Sequence, residues 1–273
     1  MSEQVGLRGK AWLQALTAQN SPMKGDPGSV LTADAKLGDD TARYLCVVPN
    51  PDARFPCARR GEVGLEESYT LATRLREAIE QDKKGKKRPI IAIVDVKSQA
   101  YGRREETAAI FLATATAADA YASARMKGHP VIALVMGNAI SGGFLTHGYQ
   151  ANRILAFDDA GVVIHAMHRE AAARITLRTV AELDELGHKI APLSYDIHDY
   201  AKLGLLHKLL HVEDPDRPSQ TTVAQVQKEL IDAIADARAG SQDLSNRLTS
   251  PAREMRKAGL AARARMEEQW RQA

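Results

Sequence analysis

Residues 130–145, PVIALVMGNAISGGFL, constrain this chain more than any other stretch. The apolar run 131–136 ends at Gly137, and a run this short predicts a strand buried on both faces. A turn is expected after Gly137, with Ser141-Gly142-Gly143 then opening a helix. Paired glycines at a strand-to-helix turn leave backbone N–H groups uncovered. With the helix dipole they make a site for a developing negative charge. The same glycines could serve only to let a helix pack tightly on the sheet, and this motif alone does not separate the two roles.

The flanking sequence repeats the pattern. Residues 44–48 predict a strand, closed by Pro49-Asn50-Pro51. Over 66–81, Leu71, Leu75, Ala78 and Ile79 share one helical face, and the basic run Lys83-Lys84-Gly85-Lys86-Lys87-Arg88 ends that helix. Residues 90–96, IIAIVDV, predict a second buried strand, and 105–126 one long alanine-rich helix with Ile110, Phe111 and Leu112 near its start. Strand, helix and strand thus alternate through 44–136, as in parallel sheets with crossover helices. Two shorter strands are expected at 153–157 and 161–164, and a helix–strand unit at 193–210.

The ends differ in character. A short helix is expected at 10–18, and the Pro/Gly/Asp-rich stretch 21–40 predicts an extended arm or loop. Helices are expected at 221–238 and 251–272. The expected organisation is an N-terminal arm (1–43), an α/β domain (44–215) and a helical C-terminal extension (216–273). In the last helix Met255, Gly259, Ala262, Met266 and Trp270 fall at helical spacing. That face is expected to pack on its own domain, the alternative being a partner chain.

Composition removes several function classes. With 37 basic against 34 acidic residues the net charge is +3, which is no nucleic-acid footprint. The N-terminus lacks the apolar core of a signal peptide, and no apolar run approaches a membrane span. Cys46 and Cys57 have neither metal-ligand nor redox spacing, and Cys46 in YLCVV reads as a buried thiol. A cytoplasmic protein without membrane or nucleic-acid partners is expected. His129, His188, His198, His207 and His211 form no metal-ligand cluster, and no metal is expected.

A second glycine turn, Asp95-Val96-Lys97-Ser98-Gln99-Ala100-Tyr101-Gly102-Arg103-Arg104-Glu105-Glu106, follows the second buried strand. Ligands of open α/β sheets collect beyond the carboxyl ends of parallel strands. N–H donors from two such turns can converge on one oxygen as an oxyanion hole. The segment GNAISGGF is similar to the glycine turn of the crotonase superfamily. Its carboxyltransferase branch is the closer match: Asp95-Val96 fits the strand end, Gly102 the second glycine, Glu105-Glu106 the acidic pair, and Ala139 to Phe144 the glycine turn. Departures are Lys97-Ser98-Gln99 in place of Pro-Gly-Phe, Tyr101 in place of proline, and Ser141 in place of the first paired glycine. The resemblance covers roughly 44–210, with its specific content in 94–106 and 137–144.

The whole chain most resembles the gamma subunits of biotin-independent malonate decarboxylases. That resemblance implies a crotonase-like (ClpP/crotonase) α/β fold of repeated ββα/βαβ units with a helical C-terminal extension. It implies a beta subunit and an acyl-carrier subunit as partners, with the malonyl thioester carried on a phosphoribosyl-dephospho-coenzyme A arm. No cofactor bound by this chain and no biotin are expected. Loss of CO2 from such a thioester leaves an enolate, which the amides of Gly102 and Gly142, with Gly143 beside them, are expected to stabilise. Tyr101, Arg103, Asn138 and Ser141 are candidate substrate-binding residues.

Two other readings compete. Clp-type serine proteases carry a similar turn with a nucleophilic serine, and here Ser141 is followed by Val163-Ile164-His165. His165 would be the base, with Asp196 or Asp199 as possible acids. His165 or His168 could alternatively protonate an enolate carbon, although a structural role suits both. The third reading is a scaffold whose partner holds all the chemistry. The basic run 83–88 reads either as a solvated loop or as a dock for an acidic carrier or phosphate.

Overall fold

A computed structural model describes residues 7–18 and 22–272. Helix α1 (Leu7–Leu16) precedes a hairpin of β1 (Val30–Leu37) and β2 (Asp40–Val47). Helix α2 (Leu65–Gln81) leads to β3 (Ile90–Val96), then α3 (Arg103–Thr107), α4 (Ile110–Met126) and β4 (Val131–Ile140). Helix α5 (Ser141–Thr146) follows β4 directly, and β5 (Arg153–Phe157) and β6 (Val163–His165) come next. The chain continues through α6 (Arg169–Thr176), α7 (Val180–Lys189), α8 (Ile197–Ala201) and β7 (Lys208–Leu210). It ends in α9 (Gln220–Ala239), α10 (Asn246–Thr249) and α11 (Lys257–Gln272).

The strands form one sheet in the order β1-β2-β3-β4-β5-β7, with β6 pairing the far end of β4. Among the described residues only the β1–β2 strand pair is antiparallel. Every residue of β3 is buried, as expected of a central parallel strand covered on both faces. Helix α4 turns Ala113, Ala117, Ala120 and Ala124 inward, and these small side chains let it pack closely in the helical layer with α2.

Several expectations needed correction. Residues 21–40 were expected to be an arm or loop, but Val30–Leu37 is an edge strand, paired from Val30–Val47 to Leu37–Asp40. A boundary at 43/44 falls inside β2. The alanine and aspartate content of β1 masked a strand that buries Val30, Thr32 and Leu37. The single helix expected over 105–126 breaks at Ala108–Ala109, where Ala109 is left-handed at φ +61. Helices α6 and α7 were not anticipated. On α11 no residue is buried, so the face expected to pack on its own domain leaves Met266 and Trp270 exposed.

Strand β4 was expected to end at Gly137 but runs on to Ile140, because a bulge absorbs the glycine. Val94 faces Val135 while Val96 faces Ala139, so β4 holds extra residues there. Asp95 Oδ1 accepts the Asn138 N–H at 3.0 Å, and a Cβ on Gly137 would collide with that carboxylate. The glycine is thus a bulge residue within the strand.

Behind α5, His147 is fully buried. Its Nε2 lies 2.8 Å from the Ile93 carbonyl and its Nδ1 2.8 Å from the Tyr121 hydroxyl. A carbonyl only accepts, so Nε2 carries the proton and Nδ1 accepts from Tyr121. Burial pushes the His147 pKa from 6.5 down to about 4. The unfolded chain then binds a proton that the native state refuses, so stability falls as pH drops from 6.5 to 4. The loss is about 3 kcal/mol at most. Urea unfolding across that range tests this, and His147→Gln, which keeps a donor and an acceptor, is expected to flatten the slope. An unchanged slope in that variant would assign the effect to other groups.

Candidate active site

Because β3 and β4 are parallel neighbours, the segments leaving their carboxyl ends emerge side by side. The 97–102 loop is pinned from below: Val63 N–H donates to the Ser98 carbonyl and Ala100 N–H to the Val63 carbonyl, each at 2.9 Å. From the other side α5 presses against it. A Cβ on Gly143 would lie 2.6 Å from Ser98 C and O and 3.0 Å from Gln99 N. Gly143 is therefore required for close approach of the two turns. A Cβ on Gly142 would meet the Gln99 carboxamide instead, with Oε1 at 2.7 Å. Across the top, the Tyr101 and Ser141 hydroxyls are 2.7 Å apart.

The two turns form one wall of a cavity of about 600 Å³. Gln99, Ser141 and Gly142 line this wall, and Ile164 and His165 of β6, Pro192 and Tyr200 line the others. Ser141, Gly142 and Gly143 are the first residues of α5, and the first turn of a helix leaves its N–H groups without intrahelical partners. Within the wall Gln99 Oε1 is buried without a hydrogen-bond partner.

The other sequence-predicted residues fall differently. Gly102 caps α3 at φ +145, a conformation favouring glycine, and buried Glu105 brings its Oε2 within 2.7 Å of where a Cβ would stand. A carboxylate there opposes a second negative charge, so its surroundings suit an enolate less well than those of Gly142. Asn138 lies inside β4 opposite Val163 and is not among the cavity-lining residues. Arg103 is exposed at the start of α3.

His165 lines the cavity but lacks an acid. Its Nδ1 is 3.0 Å from the Met167 carbonyl, and its ring stacks on Tyr195 at 3.9 Å. Burial lowers its pKa and keeps the imidazole neutral at pH 7. Asp196 is spent on the N–H and ring of His198, and Asp199 pairs with Lys202. The acid of a serine-protease triad is therefore not supplied by either candidate. In the basic run Lys83 pairs with Glu80, Lys86 with Asp40, and Arg88 with Asp82 and Asp34. This internal pairing removes much of the charge that an acidic carrier would read.

Cavity residues missed from sequence, such as Gln99, Tyr149, Pro192 and Tyr200, come from segments far apart in the chain. Only Gln99 carried a signal, as a departure inside the second glycine turn.

A mixed, mostly parallel sheet with glycine turns meeting beyond β3 and β4 defines the class: a crotonase-like fold of the carboxyltransferase type. Transcarboxylase 12S shares this fold, with a TM-score of 0.64 over 88% of this chain and 43% of that one, at 16% identity. Residues 58–270 match the model of the malonate decarboxylase gamma subunit, and the chain belongs to that family. It is 51% identical to a chain of a Pseudomonas malonate decarboxylase hetero-tetramer in complex with coenzyme A. That match has a TM-score of 0.91 and covers 96% of this chain and 99% of the other. A chain of the Pseudomonas MdcD-MdcE hetero-dimer is 50% identical, with a TM-score of 0.88 and the same coverage. A curated relative from Malonomonas rubra, the malonyl-S-ACP:biotin-protein carboxyltransferase MADD, is 39% identical over 169 residues. That match covers 59% of this chain and spans 56% of the relative's length.

Proposed function

We propose that this chain works with a beta subunit to decarboxylate a malonyl thioester to the acetyl thioester and CO2. The observation that carries this reading is the junction of the two turns, which sets Ser141 and Gly142, at the start of α5, on the wall of a cavity. As the carbon–carbon bond breaks, negative charge moves onto the thioester oxygen. A preorganised N–H binds that oxygen better than the ground-state carbonyl and so lowers the barrier. Gly142, on the cavity wall, is the donor; Gly143 holds α5 against the 98–99 backbone. Gly102 shapes the entry to α3, and its amide remains the candidate second donor in this chain. Tyr101 and Ser141 contact the substrate at the mouth. Exposed Arg103 adds positive charge beside Tyr101, and Asn138 supports the wall through the Asp95 bulge.

The substrate is carried by an acyl-carrier subunit on a phosphoribosyl-dephospho-coenzyme A arm, and no biotin takes part. The gamma-subunit family and the hetero-oligomeric Pseudomonas neighbours support the partner. The name of the Malonomonas relative supports a malonyl carrier but includes a biotin protein. Among the described residues no helix is long and apolar enough to cross a membrane, which accords with a cytoplasmic complex.

The test is CO2 release from a malonyl thioester by this chain alone, by the chain with its beta subunit, and by the pair with avidin. Release is expected only from the pair and unchanged by avidin. Inhibition by avidin would place the chain with the biotin-dependent relative, and release by the isolated chain would remove the need for a shared site.

A further inference from the structure

Ser141 stands at φ +58, in the left-handed region where a side chain is strained and glycine is not. Its backbone would be more at ease as glycine, so the hydroxyl calls for an explanation. That hydroxyl lines the cavity beside Gly142 and lies 2.7 Å from the hydroxyl of Tyr101. Tyr101 is itself 53% exposed. Two hydroxyls thus run in a chain from the cavity wall to solvent, across the seam where the turns meet.

Decarboxylation requires a proton source. When CO2 leaves, its bonding electron pair passes into the enolate, and the α-carbon must then gain one proton. We propose that the Ser141 hydroxyl delivers this proton and that Tyr101 reloads it from water, an inference that rests on the decarboxylase reading above. The new C–H bond forms as the Ser141 O–H breaks. The Tyr101 proton passes to Ser141 Oγ, and water returns one proton to the Tyr101 oxygen. Overall one solvent proton is taken up per CO2 released. His165, Tyr149 and Tyr200 are other titratable groups on the cavity wall. His165, however, is neutral with its Nδ1 engaged by a backbone carbonyl, and burial raises the Tyr200 pKa. Of the tyrosines, Tyr101 is the one hydrogen-bonded to Ser141. Gln99 presents a buried oxygen, which cannot donate.

The assay uses the assembled complex with two probes. Malonyl-coenzyme A reports CO2 release, and acetyl-coenzyme A in D2O reports exchange of the methyl hydrogens, which by microscopic reversibility uses the same proton path. Tyr101→Phe, Ser141→Ala and Ser141→Gly are each expected to slow exchange by about 10²-fold, the usual worth of a positioned general acid. Ser141→Gly is also expected to raise Tm, because it relieves the left-handed strain. A stabilised Ser141→Gly complex that still exchanges within twofold of wild type would overturn the relay and leave the hydrogen bond a structural tie. A wild-type complex that exchanges acetyl-coenzyme A but releases no CO2 would overturn the decarboxylase reading, and with it the relay's role in that reaction.

Discussion

Replacing Gly142 by proline is expected to lower kcat for CO2 release by about 10²–10³-fold, the range for loss of one oxyanion donor. Proline removes the N–H and is tolerated in the first turn of a helix, where that N–H has no intrahelical partner. The added side chain meets the end of the Gln99 carboxamide, which can move. Gly142→Ala meets the same group but keeps the N–H, so it is expected to cost far less. Turnover of the assembled complex, with Tm and partner binding measured for each variant, separates the donor from the packing. Equal turnover in proline and wild-type complexes would leave this chain a scaffold.

Gly143→Ala, one residue on, is expected to be the more damaging alanine. Its Cβ would press on the Ser98 carbonyl carbon and oxygen at 2.6 Å, and backbone has nowhere to rotate. The two hydrogen bonds to Val63 hold that loop from the far side. Relief requires α5 and the 97–102 loop to separate, with an overpacking cost of about 1–3 kcal/mol. Separation also parts Tyr101 from Ser141. Lower Tm and lost turnover together are expected; an unchanged Tm would show that the seam yields more easily than its hydrogen bonds suggest.

The contrast between these neighbouring glycines shows how far local reading extends. Both stood out in SGGF as residues that bare a helix start or permit close packing. The structure divides the roles: Gly143 packs on backbone, while Gly142 faces the cavity. Nothing in the tetrapeptide distinguishes them, because the difference lies in what the 97–102 loop brings across from β3. Gly137 teaches the same point. Locally it is a strand breaker; against the Asp95 carboxylate of the next strand it becomes a bulge.

Much was legible in the chain itself. Strand β3 matches its predicted span of 90–96, and α2 and α9 lie within a residue of expectation at each end. The two glycine turns stood out in the sequence, and so did the family resemblance that the gamma-subunit match bears out. Periodicity and turn chemistry act over a few residues, so a sequence carries them directly. Edge strand β1 and helices α6 and α7 escaped because their apolar content is thin and their burial depends on neighbours.

Local chemistry therefore determined most of the central strands and helices and the two glycine turns. Tertiary structure decided which groups meet. Tyr101 and Ser141 are 40 residues apart in the chain, and His165 reaches the same cavity because β6 pairs with the end of β4. Those meetings follow from strand order and register in a parallel sheet, where the crossovers set which turns become neighbours.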